Sequence, residues 1–343
     1  MRVAVIGATG AVGREMTRIL EERAFPVDDF LPLASSRSAG RRVPFRGEEH
    51  EVRELTVEAA RGVDVAFVSA GAATSRTFLP PIAANSTVCI DNSSAFRMDP
   101  DVPLAVPQVN PEALDGRRPG IVAVPNCTTI TAVLAVGPLH RAAGLRSLDL
   151  SSYQSVSGAG HKGVTELLDQ VEKLRGDEEA LAHPDHAALP AGDVIGATIA
   201  YNVVPRIGAV EDDGFTGEET KMMAEPRKIL GLPDLPVVAT SVRVPTIVGH
   251  GVSIVAAFDR PIAPAEAREV LAAAPGVEVR DDPASGVFPT PIDAAGLDVG
   301  LVGRIRQVTG RPDALAMFAC ADNLRLGAAL DAVLIAERLF GTR

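Results

Sequence analysis

Apolar and polar positions follow one another along about the first 125 residues in a pattern that predicts a parallel β-sheet with crossover helices. Strongly apolar runs, typical of strands buried on both faces, lie at residues 3–6, 63–68, 88–90 and 121–124. The helical spacing that follows the first run would place one apolar face on this sheet, through Val12, Met16, Ile19 and Leu20. Pro26 then predicts the end of this helix.

From about residue 145 onward the pattern changes to longer segments of alternating apolar and polar residues, which predict a mixed or antiparallel sheet. These segments lie at residues 148–156, 197–204, 237–244, 252–258, 299–308 and 315–319. Helical patterns that would cover one face of this sheet lie at residues 163–174, 218–230 and 265–274. A last helical stripe is expected to pack back on the first sheet through Leu326, Leu330, Val333 and Leu334.

Together these patterns predict an α/β fold with a Rossmann-like, doubly wound parallel sheet and a second, α+β domain with a mixed, largely antiparallel sheet. A length of 343 residues also suits two domains. We expect the first domain at residues 1–126, completed by a C-terminal helix at 322–343, and the second at 127–321. Residues 177–193, which contain Pro, His and several acids, are expected to form an excursion or lid.

The composition argues against several kinds of partner. Lys and Arg total 33 against 44 Asp and Glu, and a net charge of −11 disfavours binding to nucleic acid or to an anionic membrane surface. With no Trp and two Tyr, the chain offers little aromatic surface for stacking bases. It has no apolar stretch of about 20 residues, and Gly7 comes too early for a signal peptide. We therefore expect a cytoplasmic protein.

The three cysteines, Cys89, Cys127 and Cys320, are too few and too widely spaced for a disulfide framework or a CxxC metal site. His183 and His186 have metal-ligand spacing, but they lie in the predicted excursion. We therefore expect no metal. Cys89 falls inside a predicted strand and Cys320 ends an apolar run, so both are interpreted as core residues.

A glycine-rich string directly after the first strand predicts a dinucleotide site. Glycine permits a tight turn and a close approach of the backbone to pyrophosphate, and the following helix offers free N–H groups and the positive end of its dipole. The alternative is a glycine-rich turn without a ligand. The residues expected to contact the cofactor here are Gly7, Thr9, Gly10, Ala11, Val12 and Gly13.

The end of the second predicted strand favours NADP over NAD. An NAD site usually has an acidic residue about 20 positions after the glycines, where it binds the ribose hydroxyls. This chain instead has Ser35, Ser36, Arg37 and Ser38. Hydroxyl groups and a guanidinium suit a 2′-phosphate. The alternative is that these four residues form an ordinary polar loop.

Cys127 differs from the other cysteines because it stands where a strand stops at Pro125 and an apolar helical run begins at Ile130. The dipole and free N–H groups of a helix N-terminus stabilise a thiolate. Ligands of doubly wound sheets also bind at the carboxyl ends of the strands. Position alone leaves two interpretations open, a nucleophile and a structural cysteine near a helix cap.

Several short motifs follow one another along nearly the whole chain. They are GATGAVG at residues 7–13, DNSSAFR at 91–97, NCTT at 126–129, Gln154 with SGAG at 157–160, EETK at 218–221, Arg243 seven residues before His250, and DN at 322–323. Together they resemble the bacterial aspartate-semialdehyde dehydrogenase family. One small departure is Gln108, where many relatives have an acid.

The resemblance implies the NADP-dependent, phosphate-linked interconversion of L-aspartyl-4-phosphate and L-aspartate 4-semialdehyde, in the biosynthesis of lysine, threonine, methionine and isoleucine. It implies that Cys127 attacks the acyl phosphate to form a thioacyl enzyme, which hydride from NADPH reduces to the aldehyde. It makes His250 the general acid and base, which also helps to ionise the thiol. Gln154 would position the substrate, and a homodimer is the implied assembly.

The resemblance also implies which side chains bind the substrate and the nicotinamide. Arg243 would clamp the α-carboxylate, and Glu218 or its neighbour Glu219 would accept the α-amine. The phosphate pocket would consist of Arg97, Lys221 and Asn126. The contacts at the nicotinamide end would come from Ser157, Gly158 and Asn323.

Five of these residues also have a purely structural interpretation. His250 would be a surface or capping histidine, Arg243 a solvent-facing strand residue, Gln154 plain sheet polarity, and Glu218 with Lys221 a solvated helix pair.

Two other functions stay open at this point. N-acetyl-γ-glutamyl-phosphate reductase resembles this family and acts on a substrate one methylene longer, whose acetylated amine carries no charge. A non-catalytic NADP-binding homologue would keep only the cofactor cradle. The acid at Glu218 favours a substrate with a charged amine, and the retention of Cys127, Gln154, Arg243 and His250 favours an enzyme.

Overall fold

The computed structural model describes residues 1–116, 120–186 and 188–342. The first part of the chain forms β1 (Arg2–Ile6), α1 (Ala11–Glu22), β2 (Asp29–Ala34), β3 (Arg42–Phe45), β4 (Glu48–Glu51), β5 (Arg53–Glu54), β6 (Val65–Val68), α2 (Ala72–Ala83), β7 (Val88–Asp91) and β8 (Gly120–Ala123). Short 3₁₀ turns lie at Ser36–Ser38 and Pro111–Leu114.

The rest of the chain forms α3 (Cys127–Ala143), β9 (Leu145–Gln154), α4 (Gly160–Leu174), α5 (Glu178–Ala182), α6 (Gly217–Leu230), β10 (Val237–Arg243), β11 (His250–Phe258), α7 (Pro264–Ala272), β12 (Val277–Val279), α8 (Pro291–Ala294), β13 (Gly300–Val308), β14 (Arg311–Ala321) and α9 (Asp331–Phe340). A 3₁₀ turn lies at Val156–Ala159, and a π-helical stretch at Arg325–Leu330 leads into α9.

The first sheet is parallel throughout, in the strand order β5-β2-β1-β6-β7-β8. Its strand order reverses between β1 and β6, which is where doubly wound sheets open a crevice for ligands. The predicted apolar face of α1 is buried on this sheet through Met16, Ile19 and Leu20. The predicted doubly wound sheet is therefore confirmed, and its crevice lies beside the glycine-rich turn.

The second sheet is mixed, in the order β10-β9-β11-β14-β13-β12, as predicted. Its four central strands pair antiparallel, and the pairs at the two edges are parallel. Helices α3, α6 and α7 pack against it. On the opposite face, the side chains of Tyr153 and Val238 are exposed. The chain thus covers one face of this sheet and leaves part of the other open.

The prediction of a strand at residues 197–204 is wrong. Only Val204 pairs with the sheet, through a single bridge to Arg243. Ile199 and Ala200 are both buried although they are consecutive, and Tyr201 has a φ of +58°. Neighbours in a strand point to opposite faces, and a positive φ interrupts extended backbone, so this stretch forms a turn that packs against α4.

The C-terminal segment packs against the first sheet. Leu326, Leu330 and Val333 are buried in the same core as β1. The two domain boundaries drawn from the sequence stay predictions. Residue 343, the end of the predicted C-terminal helix, lies outside the described residues, and so does residue 187 in the predicted excursion. Within residues 1–116, 120–186 and 188–342, no helix is long and apolar enough to cross a membrane.

Asp331, the first residue of α9, is expected to reduce stability at neutral pH. It is fully buried, and neither carboxylate oxygen has a hydrogen-bond partner among the described residues. Burial raises the pKa of this carboxyl well above its usual value of 3.8. The unfolded chain therefore loses this proton above about pH 4 while the folded chain keeps it, so stability falls as the pH rises toward the folded pKa.

We expect Asp331→Asn to raise the free energy of unfolding at neutral pH, with a gain that grows by at most about 1.4 kcal/mol per pH unit as the pH rises above about 4.5 toward the pKa of the folded carboxyl. Urea denaturation at a series of pH values measures it. The exposed Asp101→Asn serves as the control, with no such trend. A gain that does not depend on pH would contradict the prediction.

Candidate active site

The turn from β1 into α1 requires glycine at two positions. Gly7 has a φ of +89°, and a Cβ there would lie 2.2 Å from the carbonyl oxygen of Ser69. A Cβ on Gly13 would lie 2.2 Å from the carbonyl oxygen of Gly7. Among the described residues, no side chain caps α1 at Gly10. The first N–H groups of this helix are therefore available to an anion, which fits the pyrophosphate of a dinucleotide.

A cavity of about 510 Å³ lies on one side of this turn. The hydroxyl groups of Thr9 and Ser38 approach within 3.4 Å at its edge. Glu54, at the end of β5, also borders it. The predicted cofactor residues that line this cavity are Gly7, Thr9, Gly10, Ser35, Ser36, Arg37 and Ser38.

A second cavity, of about 330 Å³, lies on the other side of the turn. Ser69, which follows β6 and which the sequence analysis missed, borders both cavities. The predicted site residues that line the second cavity are Ala11, Val12, Arg97, Asn126, Cys127, Ser157, Gly158 and Asn323. The start of α1 and the candidate nucleophile thus face one space.

Cys127 is the first residue of α3, and the side chain of Asn126 caps this helix by accepting from the N–H groups of Thr128 and Thr129 at 2.9 and 3.3 Å. Burial and the charge of Glu218 raise the pKa of the Cys127 thiol to about 11, against the opposing effect of Arg97 and Arg243. Burial and Glu218 therefore oppose the stabilisation of the thiolate that the helix N-terminus is predicted to provide.

Glu218 joins three of the predicted substrate residues. Its Oε1 accepts from Asn126 Nδ2 at 2.9 Å and from Gln154 Nε2 at 3.1 Å, and its Oε2 accepts from Lys221 Nζ at 2.8 Å. Burial pushes its pKa upward, but Lys221 and the two amides hold the pKa of Glu218 below its usual value. Because Glu218 is buried, the interpretation of a solvated helix pair is wrong.

Glu219 has a different function from its neighbour. It completes the N-terminal capping box of α6 with Thr216, and its Oε1 accepts from the backbone N–H of Ser241 at 2.8 Å. Both of its oxygens are therefore engaged in holding α6. Of the two glutamates, only Glu218 contacts other candidate site residues.

Three of the five N–H groups of the Arg97 guanidinium donate hydrogen bonds to the protein. Its Nε donates to the Val124 carbonyl at 2.8 Å, its Nη2 to the Asn92 carbonyl at 2.8 Å, and its Nη1 to Glu225 at 3.0 Å. The other oxygen of Glu225 accepts from the backbone N–H of Asn126 at 2.7 Å. Glu225 thus connects Arg97 to the loop that carries the candidate nucleophile.

The sequence analysis missed Glu225, although it carries a signal. It lies seven residues after Glu218 and four after Lys221, so the three side chains share one face of α6. Fully buried glutamates are rare unless they are paired, and Glu225 has no exposed surface.

Gln154, Arg243 and His250 stand at the ends of neighbouring strands of the second sheet. Arg243 is paired in register with Gln154, and its Nη1 donates to the carbonyl of Ser155 at 2.7 Å. Arg243 and His250 are both buried, so the interpretations of a solvent-facing arginine and a surface histidine are wrong. A Cβ on Gly158 would lie 2.9 Å from Arg243 Nη1 and 3.3 Å from His250 Nε2, so both groups lie directly behind the wall of the second cavity.

Two family models match the chain. Residues 2–117 match the semialdehyde dehydrogenase NAD binding domain, and residues 136–326 match the semialdehyde dehydrogenase dimerisation domain. An aspartate-semialdehyde dehydrogenase from Aquifex aeolicus is 45% identical over 340 residues, which cover 98% of this chain and 97% of that protein. The chain belongs to the aspartate-semialdehyde dehydrogenase family. It is therefore an oxidoreductase, as the motifs predicted.

Solved structures of the aspartate-semialdehyde dehydrogenase family agree with this fold. Aspartate semialdehyde dehydrogenase II from Vibrio cholerae, complexed with ASA, superposes with a TM-score of 0.90 at 38% identity and covers 99% of this chain and 98% of its own. The enzyme with NADP from Candida albicans superposes with a TM-score of 0.73 at 25% identity and covers 98% of each chain.

The effect of the Glu218 charge on the pKa of the Cys127 thiol can be tested. Glu218→Gln removes the negative charge that helps to raise the pKa of Cys127. We expect alkylation of Cys127 by iodoacetamide at about pH 8 to become roughly three- to tenfold faster, as a pKa lowered by about 0.5 to 1 would produce. Mass spectrometry of the Cys127 peptide measures this rate. The exposed Glu211→Gln should leave it unchanged, and a slower rate in Glu218→Gln would contradict the prediction.

Proposed function

We propose that this chain interconverts L-aspartyl-4-phosphate and L-aspartate 4-semialdehyde with NADP and phosphate, through a thioacyl intermediate on Cys127. The observation that carries the proposal is that Cys127 lines the same cavity as the first turn of α1. Covalent catalysis followed by hydride transfer requires a nucleophile and a dinucleotide site that face one space.

The residues at the first cavity fit NADP. Ser35, Ser36 and Ser38 offer hydroxyl groups and Arg37 offers a guanidinium to a 2′-phosphate. The relative from Candida albicans, whose structure is described as containing NADP, supports this choice. Bound NADPH supplies a hydride to the acyl carbon. The uncapped start of α1 would hold its pyrophosphate, and Ser157, Gly158 and Asn323 would contact its nicotinamide end.

The buried charges fit a substrate with a carboxylate, an ammonium and a phosphate. Arg243 donates to the Ser155 carbonyl through Nη1, and its other N–H groups would bind the α-carboxylate. The carboxylate of Glu218 would accept the α-ammonium. Arg97, Lys221 and Asn126 would bind phosphate, which explains how a chain of net charge −11 holds an anion. The Vibrio cholerae complex with ASA supports this substrate class.

The chemistry follows from the positions of these groups. In the reductive direction the Cys127 thiol loses its proton, its sulfur bonds to the acyl carbon, and the bond from that carbon to the phosphate oxygen breaks to release phosphate. Once the carbon is reduced, His250 gives a proton to its oxygen and takes the proton back as the carbon–sulfur bond breaks. The products are the aldehyde and the thiolate of Cys127, so His250 ends each cycle in the state in which it began.

The open face of the second sheet fits a homodimer. The second matching family model is described as a dimerisation domain, and β9 and β10 expose Tyr153 and Val238 on the face that α3, α6 and α7 leave uncovered. A symmetric pair of such faces would bury this apolar surface. A cytoplasmic location and the absence of a metal stay predictions from the sequence.

The decisive experiment follows NADPH formation from L-aspartate 4-semialdehyde and NADP, with and without inorganic phosphate. We expect phosphate-dependent turnover and a preference for NADP over NAD. Turnover of N-acetylglutamate semialdehyde alone would move the assignment to N-acetyl-γ-glutamyl-phosphate reductase. No turnover of either aldehyde by a chain that still binds NADP would favour a non-catalytic homologue.

A further inference from the structure

We propose that Ser155 is a positioning residue that fixes the tautomer of His250. In this arrangement resting His250 carries its proton on Nε2, donates from there, and is not the base that ionises Cys127. The role of His250 in turnover rests on the proposed function, whereas its tautomer in the ligand-free chain does not.

The backbone of Ser155 determines which ring nitrogen of His250 can carry a proton. The N–H of Ser155 points at Nδ1 of His250 over 3.1 Å. A backbone amide only donates, so Nδ1 must be the acceptor, and a neutral imidazole then has its proton on Nε2. The hydroxyl of Ser155 is also 3.1 Å from Nδ1, and it donates to Oδ1 of Asn323 at 3.1 Å.

Ser155 is itself held firmly. Its carbonyl accepts from Arg243 at 2.7 Å, and the same Asn323 oxygen that accepts from its hydroxyl also accepts from the N–H of Gly249 at 2.9 Å. Ser155 is fully buried between these contacts. The amide that faces His250 is therefore fixed by Arg243 on β10 and by Asn323 in the segment before the π-helical stretch.

The other ring nitrogen of His250 lies close to the second cavity. Nε2 of His250 is buried and has no hydrogen-bond partner among the described residues. It lies behind Gly158, which lines the cavity of Cys127. A buried polar group without a partner needs a reason, and an N–H aimed at a substrate oxygen supplies one.

A second proton on the ring is disfavoured as well. Arg243 is the cation next to His250, and Glu218 is the nearby anion that partly offsets it. Burial and Arg243 lower the pKa of His250 to about 3, so the ring is neutral near pH 7. With Nδ1 engaged and Nε2 already protonated, the ring has no free site for the thiol proton.

The movement of protons in the reaction then differs from that of a general acid and base. The Cys127 proton leaves to solvent, and the Nε2–H of His250 hydrogen-bonds the oxygen that becomes negative when sulfur adds to the acyl carbon. Because a neutral ring that gave up this proton would become an imidazolate, the same N–H keeps its proton and hydrogen-bonds the oxygen of the reduced carbon while the carbon–sulfur bond breaks to give the aldehyde and the thiolate. His250 therefore serves the substrate oxygen throughout.

The test is ¹⁵N NMR of the full ligand-free chain labelled at histidine, with His250→Gln used to assign the His250 signals. We expect at neutral pH a bonded proton on Nε2 and none on Nδ1. Ser155→Ala keeps the backbone N–H, so it should keep this tautomer, as should the matched hydroxyl variant Ser157→Ala. A proton on Nδ1, or a tautomer that changes in Ser155→Ala alone, would overturn the proposal.

A kinetic readout separates the two roles of His250. If His250 is not the thiol base, His250→Gln leaves the pH midpoint of Cys127 alkylation unchanged, while turnover falls by about 10²-fold or more. A midpoint shifted by one pH unit or more in His250→Gln would overturn the proposal. A chain with the expected tautomer but no activity on L-aspartate 4-semialdehyde would instead refute the proposed function alone.

Discussion

Replacing Cys127 by serine is expected to lower kcat/KM for the phosphate-dependent oxidation of L-aspartate 4-semialdehyde by about 10⁴-fold. Serine keeps the size and the position at the start of α3, but its hydroxyl is a much weaker nucleophile and a poorer leaving group than a thiol. Steady-state formation of NADPH measures the loss. The dissociation constant of NADP, measured by calorimetry, should change by less than about twofold, because the predicted cofactor contacts stay in place.

Cys89 provides the matched control for this substitution. It is a buried core residue of β7, and burial raises the pKa of its thiol to about 12. Cys89→Ser is expected to reduce stability and to leave kcat/KM of the folded enzyme within about twofold of the wild type. A Cys127→Ser enzyme that keeps a tenth of its activity would show that the reaction does not pass through a thioacyl intermediate.

Glu225→Ala is expected to lower the free energy of unfolding by about 3–5 kcal/mol. The substitution leaves Arg97 as a buried cation without its carboxylate and also leaves the backbone N–H of Asn126 without an acceptor. Both groups would have to stay dehydrated and unpaired. Urea denaturation at neutral pH measures the loss.

A surface pair gives the comparison for Glu225. Glu172 on α4 pairs at 2.7 Å with Arg175, the residue after this helix, but both side chains are 71% exposed. Glu172→Ala should therefore lower the free energy of unfolding by no more than about 1 kcal/mol. A loss as small as this in Glu225→Ala would show that the buried pair does not hold Arg97 as described. In the folded Glu225→Ala enzyme, the KM for phosphate should also rise, because Arg97 lines the second cavity and is one of the residues that we propose bind phosphate.

Local patterns were sufficient to predict most of the fold. The strands β1, β6, β7 and β8 and the glycine turn could be found because burial on both faces and a left-handed glycine each depend on a few adjacent residues. Residues 197–204 are the exception, because their apolar content fits a strand. In the structure they form a turn, in which two consecutive residues are buried and Tyr201 has a positive φ.

The family resemblance was sufficient to predict most residues of the candidate site. It did not predict the residues, distant in the sequence, that hold those side chains in place. Glu225 is 99 residues from Asn126, and Ser155 is 95 residues from His250. The pKa of the Cys127 thiol is equally hard to predict from the sequence. The helix terminus at Cys127 is a local feature, but Glu218, which raises the pKa of this thiol, comes from α6. Such effects depend on packing between elements, and the sequence shows little of them beyond the helix face that Glu225 shares with Glu218 and Lys221.

Ser69 offers a starting point for inhibitor design because it borders both cavities. Two weak fragments, one in each cavity, would have their nearest ends beside this residue. A short linker between them makes the second binding event intramolecular, with an effective concentration on the order of millimolar. Compounds built outward from Ser69 in both directions would thus gain affinity without any new contact to the protein.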